Sequence, residues 1–181
     1  MNDRAPAPGG LALIETLVNT LSIDTGDDRL AAEFSLTGAA LAEAAELREA
    51  LRAVCRAHAG HDVPEAGAGL TRLLSAAPLL LTFDAEGTAV LTPADPAVLS
   101  SRIAAAIATA AADGTWARLK ACETEDCHWA YYDRSPAGRS RWCTMAVCGS
   151  RAKMRTYRAR KARSSPRGSS SPTGNSSPSG D

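Results

Sequence analysis

Four cysteines, Cys122, Cys127, Cys143 and Cys148, constrain this chain more than any other feature. They form two CxxxxC pairs separated by fifteen residues and lead straight into the chain's one strongly basic stretch. Two ligand pairs bracketing a short loop can deliver four thiolates to one tetrahedral ion, which is how structural zinc sites are built. The spacing therefore predicts Zn2+ as cofactor, with these four cysteines as its ligands. Two disulfides would satisfy the same spacing in an exported chain. The apolar run from Leu11 to Leu21 is interrupted by Glu15 and Asn19, so it does not make a continuous signal-peptide core. No stretch approaches the ~20 apolar residues of a membrane span. The expectation is a cytoplasmic protein without membrane association, in a compartment where clustered cysteines hold metal more often than each other. An iron–sulfur cluster is the other metal option, but the spacing does not match the grouped ligands of ferredoxin-type sites. His128 could replace Cys127 as a ligand. Adjacent residues rarely share one small ion, so it reads as a knuckle or surface residue. Cys55, in an Ala/Leu-rich helical pattern, reads as a buried small hydrophobe.

A formal net charge of zero conceals two opposite halves. Up to Asp133 there are 9 Lys/Arg against 19 Asp/Glu, net −10; from Arg134 onward there are 11 against the single Asp181, net +10. Ten cations lie between Arg139 and Arg167 with no acid among them, the footprint of a phosphate binder. A solvated basic tail, or contact with the chain's own acidic half, is the bland alternative. From about residue 164 the composition falls to Ser, Pro and Gly, which predicts a disordered tail over 164–181.

The chain's 181 residues suit one domain plus a small appended one. Leu11, Ile14, Val18 and Leu21 predict a short helix that ends before the Asp24–Asp28 turn. Between Leu36 and His58, a stripe of Ala40, Ala44, Leu47, Leu51, Val54 and His58 predicts a long one, with Arg52 and Arg56 off the stripe. His58 reads as partly buried near a helix C-terminus where its charge is tolerated. Pro64 opens a third helix and Pro78 closes it. Leu79–Phe83 and Thr88–Thr92 flank a four-residue loop and predict a β-hairpin. A long Ala-rich helix follows from Asp95-Pro96, with Gly114 as its break. Residues 1–10 are expected to be flexible, 11–115 a helical domain with one β-hairpin, and 116–163 a small four-cysteine zinc finger made of a β-hairpin and a basic helix. The fold class is α+β, mainly α. No nucleophile elbow, phosphate-cradling glycine motif or HExxH is present, so no enzymatic activity is expected.

Within the finger, Trp129–Asp133, a Pro/Gly turn and Arg139–Trp142 predict a hairpin that returns the second cysteine pair to the first. Some forty residues bury too little to fold alone, and metal binding would make them a domain. Beyond Cys148, Arg151, Arg155 and Arg158 share a helical face that Arg160 and Lys161 extend, while Val147, Met154 and Tyr157 are expected to anchor the helix to the finger. A cationic helix on a metal knuckle suits a nucleic-acid groove. The candidate contacts are Arg141, Arg151, Lys153, Arg155, Arg158, Arg160 and Lys161.

Cys122-xxxx-Cys127, Tyr132-Asp133-Arg134-Ser135, the run from Arg141 through Lys153 and Tyr157-Arg158 together resemble the CGNR zinc-finger family of bacteria. Leu11 to Leu21 and Leu47 to Arg52 are similar, more loosely, to the ABATE domain that precedes the finger there. The resemblance implies a stress-linked transcriptional regulator, in which the finger binds double-stranded DNA and the N-terminal domain senses a ligand or regulates. The motif's Asn is Ser150 here, and a less rigid turn after Cys148 is the expected consequence. Asn19, Thr20 and Asp24, polar groups near the first helix's apolar face, are candidates for a small-molecule effector. A homodimer is a further candidate assembly. An RNA-binding or protein-interaction zinc adaptor is the alternative function, and a peroxide-sensitive zinc–thiolate switch a third.

Overall fold

Three helices enclose the first core, and each is explained by which residues recur on its inner face. The computed structural model describes residues 4–164, so the predicted Ser/Pro/Gly tail lies, from residue 165, outside the described residues. The element order is α1 (Leu11–Val18), α2 (Leu30–Phe34), α3 (Gly38–His58), α4 (Ala66–Leu74), β1 (Leu79–Phe83), β2 (Ala89–Pro93), α5 (Leu99–Ala112), β3 (Leu119–Ala121), β4 (Ala130–Tyr132) and α6 (Ser150–Ser164). About half the chain is helical, with two antiparallel two-stranded hairpins, so the fold is α+β and mainly α.

α1 packs against both α3 and α5. It buries Leu11, Ile14, Leu17 and Val18 and ends at Asn19, so Leu21 lies beyond the helix and pairs as an isolated bridge with Asp28. Gly10, at the entrance to α1, lets α5 approach closely: a Cβ there would stand 2.7 Å from the Cβ of Ala106. On α3 the stripe of Ala44, Leu47, Leu51 and Val54 is buried as the period predicts, with Cys55 beside it. Ala40 is exposed, and two arginines, Arg48 and Arg52, are buried instead. Their guanidinium groups have partners inside: Arg48 donates to Asp28 (2.7 Å), Thr20 Oγ1 (3.1 Å) and Glu49, and Arg52 to Val18 O (2.8 Å), His128 O (3.2 Å) and Glu49. A buried charge is tolerable only when paired in this way.

The hairpin β1–β2 forms where expected, but its register is one residue off the pairing that a four-residue loop implies: Phe83 lies opposite Ala89 rather than Thr88, and Leu81 opposite Leu91. Its loop runs from Asp84 to Thr88, closed by Asp84 N–H to Thr88 O and by the Asp84 carboxylate accepting from Glu86 and Thr88 N–H. The Ala-rich helix starts later than Asp95-Pro96 and leaves Val98 exposed; Gly114, at φ +67°, ends it.

The core is continuous through the second hairpin. Leu119, Ala121, Ala130 and Tyr132 belong to the same buried cluster as Leu17, Val18, Leu51 and Ile103. Each large apolar side chain taken from water contributes ~1.5–3 kcal/mol, so the finger's base draws on the helical domain's core. Residues 4–7, expected to be flexible, are tied across this junction. Arg4 donates to Cys143 O (2.7 Å) and Trp142 O (3.1 Å) and lies over the Tyr131 ring. Arg134 donates to Ala5 O (2.9 Å) and Pro6 O (2.5 Å). Ala7 N–H donates to the Glu15 carboxylate at 2.6 Å.

Candidate metal centre and nucleic-acid interface

The predicted finger hairpin has a different pairing. β4 does not pair with Arg139–Trp142; it pairs backwards with β3, Leu119 opposite Tyr132 and Ala121 opposite Ala130. The ladder runs one bond further, Cys122 N–H to Trp129 O at 2.9 Å. The first cysteine pair therefore sits at the hairpin's tip, in a knuckle where Cys127 N–H and His128 N–H both turn back to Thr124 O. His128 takes φ +46° at this knuckle, and it lies outside the cysteine cluster. The 133–142 loop that brings back the second pair is organised around one buried carboxylate. Asp133 accepts Ser135 N–H (3.0 Å), Ser140 N–H (2.9 Å) and the Lys120 ammonium (3.1 Å). Burial pushes this carboxyl up, but the bonds from Ser135 and Ser140 prevail and hold it well below the usual range. Tyr131 fastens the same loop, donating its hydroxyl to Ser140 O at 2.6 Å.

The second pair closes on a single wide turn, Met145–Gly149, in which Gly149 N–H reaches Thr144 O at 3.0 Å. A Cβ at Gly149 would stand 3.0 Å from Met145 Sδ, a tight contact that only a shift of the half-exposed methionine side chain would relieve. Ser150 has φ −66° and ψ −44°, an ordinary right-handed helix conformation, and its hydroxyl donates to Met145 O at 3.2 Å. No left-handed residue is needed there, so the backbone reason for expecting a looser turn without the motif's Asn does not apply.

All four Sγ atoms of Cys122, Cys127, Cys143 and Cys148 lie within 4.8 Å of one another. Cys143 Sγ stands 3.7 Å from both Cys127 Sγ and Cys148 Sγ. Four sulfurs at about 2.3 Å around a tetrahedral ion are separated by about 3.8 Å, so the donor set fits one thiophilic ion. An iron–sulfur cluster would hold the sulfurs wider apart, and no two cysteine sulfurs are bonded, so four mutually close sulfurs suit one ion better than two separate disulfides. Backbone N–H groups of Thr124 and Cys143 point at Cys122 Sγ, and that of Trp129 at Cys127 Sγ, as donors to thiolate. Hydrogen bonds from Cys127 and Cys143 push Cys122 down, Cys127 is pushed up to about 12 by its bond to Cys122, and Cys143 also rises. Four thiolates at this spacing need positive charge between them. Cys55 is apart, fully buried and pushed up to about 12 by desolvation, an inert thiol.

α6 leaves the second knuckle directly, and its side chains are exposed from Ser150 to Lys161 except for a half-buried Ala152. Val147, Met154 and Tyr157 do not anchor it; they are 48%, 51% and 61% exposed. The helix is held at its base, by the knuckle, rather than along a face. Arg151, Arg155 and Arg158 line one open groove of about 520 Å³ together with Val147 and Met154. Lys153, Arg155, Tyr157 and Arg160 line a second cleft, of about 760 Å³, opposite Glu123, Glu125 and Asp126. Arg151, Lys153, Arg155, Arg158 and Arg160 make no salt bridge among the described residues. Arg141 differs: its guanidinium forks onto the Glu123 carboxylate, with one arm at 2.6 Å, and lies against Trp142. Lys161 is exposed near the end of the helix.

The candidate effector residues do not converge. Asn19 is buried, its amide donating to Ala130 O (2.9 Å) and accepting Ala130 N–H (2.7 Å). Thr20 is buried between Leu17 O and Arg48. Both are structural. Asp24 accepts from Ser22 Oγ at 2.6 Å and lines a cleft of about 250 Å³ that reaches Cys127, Cys148 and Arg151. Sequence reasoning missed Arg4, Arg52, Asn19 and Asp133 as residues that position the finger, and Arg48 as the buried partner of Asp28 and Thr20. The only signal was the mismatch between two arginines and an otherwise apolar helical period.

Among the described residues no helix is long and apolar enough to cross a membrane. Comparison with curated proteins gives no match. The segment that carries the cysteine knuckles and most of the basic helix, residues 118–161, matches the CGNR zinc finger family.

Proposed function

We propose that this chain is a zinc-containing, DNA-binding transcriptional regulator of the cytoplasm, in which the finger and α6 contact duplex DNA and residues 11–115 form an ABATE-like regulatory domain. Zn2+ held by Cys122, Cys127, Cys143 and Cys148 supplies a rigid cross-link between the two knuckles. With all four positions filled by thiolate, no site is left open for water, so the metal's role is structural and no catalytic step is assigned. The observation that carries the reading is the orientation of α6. A helix fixed at one end by the metal knuckle presents Arg151, Arg155 and Arg158 along one groove, free of salt bridges among the described residues. Cations that form no salt bridge among the described residues suit phosphate oxygens and base edges.

The test is duplex binding by fluorescence anisotropy over a salt series, with zinc-loaded and chelator-stripped protein. Five phosphate contacts give a log–log salt slope of about −4.5. Changing Arg151, Arg155 and Arg158 together to Ala should make the slope shallower by about 2.7 while zinc content is unchanged. A salt slope that the triple change leaves unaltered, or binding that metal removal leaves unaltered, would overturn the assignment. Tyr157, exposed between Lys153 and Arg160, favours a second reading as an RNA-binding adaptor, since an exposed ring flanked by cations can stack an unpaired base. Preference for single-stranded RNA over duplex DNA at equal salt would select it.

A further inference from the structure

The hairpin β1–β2 carries a surface that neither the finger nor the metal uses. Residues opposite each other in its register share a face, so Leu79 with Pro93, Leu81 with Leu91, and Phe83 with Ala89 form one face made only of apolar side chains. Leu81 is 59% exposed, Phe83 66% and Leu91 38%. The opposite face, Leu80 and Thr82 with Thr92 and Val90, is mixed. Neither strand holds a charged residue, and neither has a further strand partner among the described residues. Two strands alone are marginal in water, and natural edge strands are normally guarded by charge. This hairpin is built to be covered.

We infer that the Leu81–Leu91–Phe83–Ala89 face closes on the same face of a second copy, giving a two-fold homodimer. Three observations choose that occupant. The face offers a partner apolar contact and no charge, and a surface of that kind is its own complement under two-fold symmetry. The chain up to Asp133 carries net −10, so two copies can meet without repulsion only where acids are missing, as on these strands. The acids nearest them in sequence, Asp84 and Glu86 at the loop tip and Asp95 past the end of β2, all lie off the strands themselves. The area sets the strength. A large apolar or aromatic residue presents on the order of 200 Å², so the half-exposed face offers roughly 400 Å² per copy. The resulting total of about 800 Å² falls below the ~1,200–2,000 Å² of stable interfaces and into the range of weak, transient association. The dimer is therefore a weak one. This inference is independent of what α6 binds.

Sedimentation equilibrium of the zinc-loaded full chain from about 1 to about 200 µM, a range set by the affinity such an area supports, tests it. The expected result is a reversible monomer–dimer equilibrium. Leu81→Asp with Phe83→Asp should raise the dissociation constant at least tenfold, while Thr82→Asp, which puts the same charge on the opposite face, should leave it within about twofold. Phe83→Ser, which trims the apolar face without adding charge, serves as the folding-safe variant and should weaken dimerisation severalfold with unchanged circular dichroism and zinc content. A monomer throughout the range would overturn the inference. So would a dimer that Phe83→Ser leaves unaltered, or one that Thr82→Asp breaks as readily as the paired change.

Discussion

His58 shows how burial decides what a residue at a helix end can do. It lies at the C-terminus of α3, where the helix dipole favours a cation, and its sequence position suggests a tolerated charge. In the structure Nδ1 sits 2.9 Å from Leu119 O, and the ring stands edge-on to Trp116. Desolvation is the largest influence and lowers its pKa, outweighing the bond to Leu119, which raises it. The ring is therefore neutral and donates its Nδ1 proton to the finger's first strand. Because the folded pKa lies below the unfolded value of about 6.5, the unfolded chain binds more protons as pH falls. The contribution of His58 is fully present above about 6.5 and is lost as pH drops toward the folded value. His58→Gln, which keeps a donor, should flatten the rise of stability with pH across this window, by at most about 1.4 kcal/mol per pH unit. Urea unfolding of both zinc-loaded proteins at stepped pH would show it, and parallel curves would refute the neutral-histidine account. The metal ligands were legible at this scale because ligation depends on residue type and spacing alone. Arg48 and Arg52 were not, because a charged residue on a helix reads as solvent-facing until its acceptors are known. Those of Arg52, Val18 O and His128 O, lie far away in sequence.

Elements followed the same division. The helices over 11–18, 38–58 and 99–112 and the hairpin β1–β2 were legible from apolar period and turn residues, which act locally. α2 was not, being five residues long with only Leu30 buried. The pairing of β4 was also misread, since Trp129–Asp133 and Arg139–Trp142 are joined by a plausible Pro/Gly turn. Asp133 consumes that turn: its carboxylate binds Ser135 and Ser140 N–H, curling the loop inward instead of letting it run as a strand. β4 is left with an edge facing α1, and the Asn19 side chain fills it by bonding both Ala130 N–H and Ala130 O, as a third strand would. Asn19→Ala leaves these two buried main-chain groups without partners. At about 1–3 kcal/mol for each unsatisfied group, the loss should be about 2–6 kcal/mol in denaturant unfolding, with zinc stoichiometry retained in the folded state. A change under about 1 kcal/mol would mean that water replaces the amide.

At the scale of the whole molecule, the helical domain and the finger base share one core, and this decides what the metal stabilises. Small zinc modules are commonly unfolded without metal, and the forty-residue finger suggests the same from its sequence. Here Leu119, Ala121, Ala130 and Tyr132 are buried among α1, α3 and α5, and Asn19, Arg52 and His58 fasten the hairpin from outside the finger. None of these contacts requires an ion. What depends on the ion is the second knuckle and the helix that leaves it. α6 is fifteen residues long and mostly exposed, and Arg151 and Arg155 repel each other at i,i+4. An isolated helix of that length is marginal in water. Chelation should therefore remove helical circular dichroism equivalent to roughly one helix of this length and abolish duplex binding. The main thermal transition should remain, lowered by no more than about 5 °C, equivalent to roughly 1–2 kcal/mol for a chain of this size. Loss of the whole transition on metal removal would show that the ion, and not the shared core, holds the finger's base in place.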